Sequence, residues 1–274
     1  MIEPLPIGLL GVFGGAIAAF ASLLPLCVGP DRIRSVLADR DLLRERAVGI
    51  APYVGGLGVV LAVNKGFIRR IEALSFEYGY RATTAIYAIE GDLVAAVQDA
   101  IPRVAVYFFG PMYVVGYVVL LVFPLAAYAF AERLRPLKRL VAAYAVNYAV
   151  AIACYAGIVA YGPRNYPRVP GADPSAASVE PLLLDWFGGG TQLTSQVNAA
   201  TNVFPSLHTA LSVTVLLAAV FTHEEFPRWT CVAGALTGSI VVATVFLGIH
   251  WVTDVAAGAL LAVGSVAAAD RIVE

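Results

Sequence analysis

The sequence predicts an all-α fold: a polytopic membrane helix bundle of about seven spans. Three observations predict it. Only 14% of the 274 residues are charged and 59% are hydrophobic, whereas soluble domains carry about 25% charged residues. The mean hydropathy is +0.79. The apolar residues are gathered into runs of membrane-crossing length, roughly 17–25 residues. Residues 1–274 read as one integral membrane domain.

The runs fall at 5–28, 48–64, 104–130, 139–160, 205–221, 230–249 and 251–269. The first begins Met1-Ile2-Glu3-Pro4, with no basic region and no small-x-small cleavage site, so it reads as a retained span. The third carries Pro111 and Pro124, which predicts a kink. Between the second and third, residues 66–101 read as an amphipathic insert at the membrane interface. Phe67, Ile71, Leu74 and Tyr78 share one helical face, and Ile86, Ile89, Leu93 and Val97 share another. Such helices lie in the headgroup plane or fold down on the bundle; the pattern fits both. Residues 161–203 form a long loop, with Gly188-Gly189-Gly190 as its hinge.

Charge and cysteine content exclude several functions. The net charge is −1, which leaves no basic surface for nucleic acid. Cys27, Cys154 and Cys231 are scattered through apolar runs, an arrangement that suits packing and neither a disulfide framework nor a metal knuckle. Arginine makes up nearly all the basic residues and alanine is abundant, which points to a prokaryotic cell membrane.

Seven spans put the termini on opposite sides. The loops on the C-terminal side hold Arg32, Arg34, Arg40, Arg44, Arg46, Arg133, Arg135, Lys138, Arg139, Arg228 and Arg271; the other side holds seven basic residues in two long loops. The richer side is expected in the cytoplasm. Arg164 and Arg168, the start of the fifth span and the turn into the seventh then share the extracytoplasmic face.

That face carries the candidate chemistry. In Gly248-Ile249-His250-Trp251-Val252-Thr253-Asp254, an imidazole and a carboxylate are four residues apart, one turn on a helix. A carboxylate so placed orients the ring and frees Nε2 to attack, and the helix start favours an anion. The same pair also fits a simple helix cap. Pro205-Ser206-Leu207-His208 looks like a helix start with Pro205 in its first turn; its amides and the Ser206 hydroxyl suit an anion, and His208 suits proton transfer. Arg164 and Arg168 follow the fourth span among Pro163, Pro167 and Pro170, in a stretch expected to be stiff and non-helical. Their planar guanidinium forks suit phosphate. Asn147 reads as an interhelical hydrogen-bonding residue. A transporter or lipid-binding protein could use the same anion site, but the chain lacks the two related halves such folds show.

These three stretches, in this order, resemble the type 2 phosphatidic acid phosphatase superfamily of membrane lipid phosphatases and phosphotransferases, over about residues 48–269. The resemblance implies a six-helix core with the span at 5–28 added. It implies that His250 is the nucleophile, helped by Asp254, and that His208 protonates the leaving group. Arg164 and Ser206 with the Leu207 backbone would hold the phosphate, and the reading of the residues adds Arg168 to them. It implies no cofactor and no metal. The sequence departs from the phosphatase pattern at Leu207, where glycine is usual, at Gly157, where a lysine is usual, and at Ala243-Thr244, where Ser-Arg is usual. Pro-Ser-Leu-His with Gly162-Pro163-Arg164 is more similar to the inositol phosphorylceramide synthase branch. The expected partners are a membrane lipid substrate and either water or an alcohol acceptor such as inositol.

Overall fold

The computed structural model describes residues 5–183 and 201–273. The expected hinge at Gly188 to Gly190 lies outside them. The architecture is all-α. Helix α1 (Leu5–Cys27) meets the short α2 (Pro30–Ala38) at a 93° bend. Then come α3 (Arg40–Tyr78), α4 (Thr83–Glu90) and α5 (Leu93–Ala100). The third expected span is α6 (Val106–Pro111), a π-helical turn at Met112–Gly116 and α7 (Tyr117–Ala129). Next are α8 (Arg135–Gly157), α9 (Leu207–Phe221), α10 (Pro227–Phe246) and α11 (Val252–Ile272).

Five helical stretches are long and apolar enough to cross a membrane, and the bent α1–α2 pair would make a sixth. The fifth expected span, α9, is only fifteen residues long. It is short because it starts recessed. Ser206 N donates to Asp254 O at 3.0 Å, so α9 begins about one turn below the start of α11. Nearly all of its inner face is buried: Ala210, Leu211, Ser212, Thr214 and Val215 are at most 1% exposed.

In a membrane, lipid tails are as apolar as leucine, so helices associate through close packing and interhelical hydrogen bonds. Both are present. Phe123 of α7 packs on Trp229 of α10 with ring centroids 4.5 Å apart, amid Leu120, Leu140, Leu211 and Ile240. Asn147 Nδ2 donates to Thr214 Oγ1 at 2.9 Å, joining α8 to α9, and Tyr144 Oη donates to Leu121 O at 3.0 Å. The three cysteines are free.

Local structure departs from the sequence reading at three places. The Phe67–Tyr78 stripe is no separate interfacial helix: α3 runs unbroken for 39 residues from its Asp39 cap, whose carboxylate accepts Leu42 N. Gly66 alone costs about 1 kcal/mol in a helix, too little to end one already formed. At 1.5 Å per residue α3 is roughly 58 Å long, well beyond a bilayer core of about 30 Å. Second, the Ile86–Val97 stripe is split at Gly91, where φ is +56°. Its halves, α4 and α5, fold down on the end of the bundle, burying Ile86, Val94 and Ala95 and leaving Ile89 and Leu93 exposed. Third, residues 163–168 form a 3₁₀ helix. Proline's fixed φ near −65° fits that geometry. The kink expected in the third span takes the form of the π turn directly after Pro111; Pro124 lies within α7.

The two ends of the bundle differ. One end gathers the basic loops: Arg32 pairs with Glu225, Arg139 pairs with Asp270 at 2.8 Å, and Arg228 donates to Leu26 O. The other is covered by α4, α5 and a two-stranded parallel ladder, β1 (Tyr80–Arg81) with β2 (Ile158–Val159).

Candidate active site

The site forms at the covered end, where three chain segments are pressed together. Helix α10 ends with Thr244 O accepting both Ile249 N and His250 N at 3.0 Å. This wraps the 247–251 turn over the helix end and fixes the His250 backbone. The 162–168 segment lies directly against that turn. A Cβ at Gly162 would sit 2.3 Å from Ile249 O, so only glycine permits the approach. Arg164 N donates to Gly248 O at 3.4 Å, and Trp251 Nε1 donates to Tyr161 O at 2.8 Å. The start of α9 is pressed equally closely on α11, where a Cβ at Gly258 would lie 2.4 Å from Ser206 O.

His250 and Asp254 meet as their spacing predicts, by a different route. His250 is not on the helix; α11 begins at Val252 with Trp251 as its N-cap. Asp254 Oδ2 accepts Trp251 N at 2.8 Å, and this capping contact brings the same oxygen to 3.5 Å from His250 Nδ1. Both side chains are buried, His250 at 2% and Asp254 at 0% exposure. Burial, with the nearby Arg164 charge, pushes the His250 imidazole down to about 3, against an opposing pull from the Val203 backbone. The ring is therefore held in its neutral form.

The helix-start anion site expected at α11 is already filled. Glu90, at the end of α4, accepts Val252 N at 3.0 Å and also accepts Thr253 N. These amides serve a carboxylate of the protein itself.

His208 is the second residue of α9, and its ring centroid lies 5.6 Å from that of His250. Tyr113 and Tyr117 flank it at 4.8 and 4.7 Å. Pro205 precedes the helix and is not in its first turn; Ser206 is the N-cap. The Ser206 hydroxyl accepts Thr209 N and Thr209 Oγ1–H at 3.3 and 3.1 Å, so capping is its evident task. The Leu207 and His208 amides, in the first turn, have no intrahelical acceptor. Tyr155 Oη donates to Pro205 O at 3.1 Å and steadies the approach.

Arg164 faces this cluster and Arg168 does not. Residues four apart share a face on an α helix but are a third of a turn apart on a 3₁₀ helix. Arg168 is exposed, and none of the described contacts joins it to either histidine. Burial pushes the Arg164 guanidinium down from its ordinary value while the Tyr113 phenol opposes this; the group stays charged. Arg164 Nη1, His208 Nδ1 and His250 Nε2 are all buried without a hydrogen-bond partner. Buried polar groups are normally paired; these three atoms, from three segments, have no partner within the described residues. Among the described residues, no group of three or more His, Cys, Asp or Glu is arranged to hold a metal ion.

Sequence reasoning does not find Glu90, Tyr113, Tyr117 or Tyr155 as neighbours of the site. Pro111 beside two tyrosines four apart is the one available signal.

Comparison with known proteins agrees with the geometry. Neither the curated proteins nor the solved structures include a match to this chain. A family model described as PAP2 superfamily matches residues 87–268, which span Glu90, Tyr113, Arg164, His208, His250 and Asp254 and leave out α1 to α3. Members of that superfamily are generally phosphatases, which supports an enzyme with phosphatase- or phosphotransferase-type activity. A match over most of the chain places this protein in the PAP2 superfamily.

Proposed function

We propose that the protein cleaves a lipid phosphoester, or transfers its phospho-headgroup, through a phosphohistidine on His250. The observation that carries this is the meeting of His250, Asp254, His208 and Arg164 around unpartnered buried polar atoms. His250 Nε2 attacks phosphorus and the bond to the leaving oxygen breaks, while protonated His208 gives that oxygen its proton. The bound phosphate's negative charge favours the imidazolium form of His208. Asp254 accepts the Nδ1–H and stabilises the charge that develops on His250. Arg164 and the first amides of α9 stabilise the equatorial oxygens. Water or an alcohol then attacks the phosphohistidine; His208 takes its proton and the P–N bond breaks. Dividing one displacement into two is the gain of covalent catalysis. The scheme uses no metal, and a chelator should leave the rate unchanged.

The acceptor reading favours an alcohol such as inositol, supported by the likeness of Pro205-Ser206-Leu207-His208 to the inositol phosphorylceramide synthase branch. The site would face the extracytoplasmic leaflet, because the basic loops gather at the opposite end. The test is mass spectrometry of lipids after incubation with a mixed phospholipid extract, with and without inositol, together with a search for phosphohistidine. New headgroup lipid only with inositol supports transfer; phosphate release without it supports hydrolysis. No product in either condition refutes the reading.

A further inference from the structure

The third span is irregular at one place, the π-helical turn at Met112–Gly116 after Pro111. π turns interrupt the regular ladder and are found often at functional sites. Here Tyr113, within the turn, and Tyr117, directly after it, both pack their rings on His208. Tyr113 is only 4% exposed, and a buried tyrosine hydroxyl usually has a partner. Tyr128, Tyr144 and Tyr155 in the same bundle have theirs: Thr222 Oγ1, Leu121 O and Pro205 O. Among the described hydrogen bonds none engages the Tyr113 hydroxyl. The phenol lies within electrostatic reach of the Arg164 guanidinium, whose Nη1 is also without a partner.

We propose that Tyr113 is a substrate-contact residue: its hydroxyl donates to a non-bridging oxygen of the phosphate held between Arg164 and the two histidines. This rests on the phosphoryl-transfer reading above. Its chemistry differs from that of Arg164, because a neutral donor adds no charge. The phosphate thus keeps the negative charge that draws a proton onto His208. Tyr117, whose ring also packs on His208, has no described interaction with Arg164 and serves as the control.

Orthovanadate, a phosphate mimic that adopts the five-coordinate geometry of transfer, is the probe. Its affinity is measured by thermal shift on the full chain in detergent, in wild type, Tyr113→Phe and Tyr117→Phe. A hydrogen bond to a charged group contributes about 1.5–3 kcal/mol, so Tyr113→Phe should weaken orthovanadate by roughly tenfold to a hundredfold. Tyr117→Phe should stay within about threefold of wild type. Should Tyr113→Phe fail to purify folded, Tyr113→Met also removes the hydroxyl and carries the same expectation. Wild-type affinity in the folded Tyr113 variant, or equal losses in both tyrosine variants, overturns the proposal. Wild-type protein that binds orthovanadate but turns over no phospholipid refutes the functional reading, while the Tyr113 comparison still decides this one. Wild-type protein that does not bind orthovanadate refutes both.

Discussion

Glu90 and Val252 lie 162 residues apart in the chain, and the Glu90 carboxylate caps the helix that Val252 begins. The same carboxylate accepts Thr253 N, so one side chain serves two of the four amides a helix start leaves unpaired. Asp254 serves a third amide nearby, that of Trp251. The two acids together fix the start of α11, and with it the Asp254 carboxylate 3.5 Å from His250 Nδ1.

Glu90→Ala should therefore affect both stability and rate. Losing a helix cap costs about 1 kcal/mol, and up to about 2 with the loss of charge at the helix dipole. The melting temperature should fall, and kcat should fall more than KM rises, because Glu90 touches α11 and not the proposed phosphate position. Glu90→Gln keeps an acceptor and should recover most of the stability. A Glu90→Ala variant with wild-type melting and kcat would show that the cap is dispensable.

Replacing His250 with alanine should abolish turnover and the phosphohistidine. Asp254→Asn should keep orthovanadate binding and lower kcat on the order of 10²-fold or more, the scale of a lost proton-transfer partner. Single-turnover assays with labelled phospholipid would measure both. Residual phosphohistidine in His250→Ala would move the nucleophile elsewhere.

The buried His250 also predicts an acid sensitivity. Burial holds its folded pKa at about 3, below the ordinary imidazole value of 6.5, so between these values the unfolded chain binds more protons than the folded one. The His250 contribution to stability then falls as pH drops from about 6.5 toward 3. His250→Ala should flatten part of that fall, read from melting temperatures in detergent across the same window. A variant whose acid profile overlays the wild type would place the sensitivity on other groups.

Two glycines should be intolerant and two tolerant. Gly162→Ala and Gly258→Ala force a Cβ against Ile249 O and Ser206 O. Backbone must move in each, and both should lose activity, Gly162→Ala by displacing the Arg164 segment. Gly55 and Gly58, on α3, have nothing within 4 Å of the position a Cβ would take. Alanine there should be neutral or stabilising by up to about 1 kcal/mol. Activity assays and melting curves of the four variants give the contrast.

These cases show what the sequence could and could not disclose. His208, His250 and Arg164 are readable because ionisable groups are scarce in so apolar a chain, and each borders a span. Glu90 looks like an ordinary acid on an amphipathic stretch; its role depends on α4 folding across the bundle end, a contact no local pattern encodes. Gly162 and Gly258 matter only through neighbours 87 and 52 positions away (Ile249 and Ser206). Arg168 matches Arg164 in type and setting, and only the 3₁₀ geometry separates them. The long α3 is hidden because its polar turn at Asn64-Lys65 resembles a span boundary, yet nothing there breaks a helix.

The last prediction concerns sidedness, on which the identity of the lipid pool depends. The bundle end with Arg32, Arg139 and Arg228 should face the cytoplasm, by the bias of basic residues toward that side. The site then opens on the outer leaflet, and its headgroup donor must be a lipid that reaches that leaflet. Ser175 lies on the site end and Glu224 on the opposite end, and both are exposed. Cys27, Cys154 and Cys231 are first replaced by alanine, since Cys231 is exposed and would react on its own. In that background Ser175→Cys should react with an impermeant thiol reagent added to intact cells, and Glu224→Cys only after the membrane is opened. The reverse pattern would put the histidines in the cytoplasm, with the inner leaflet as their source of substrate.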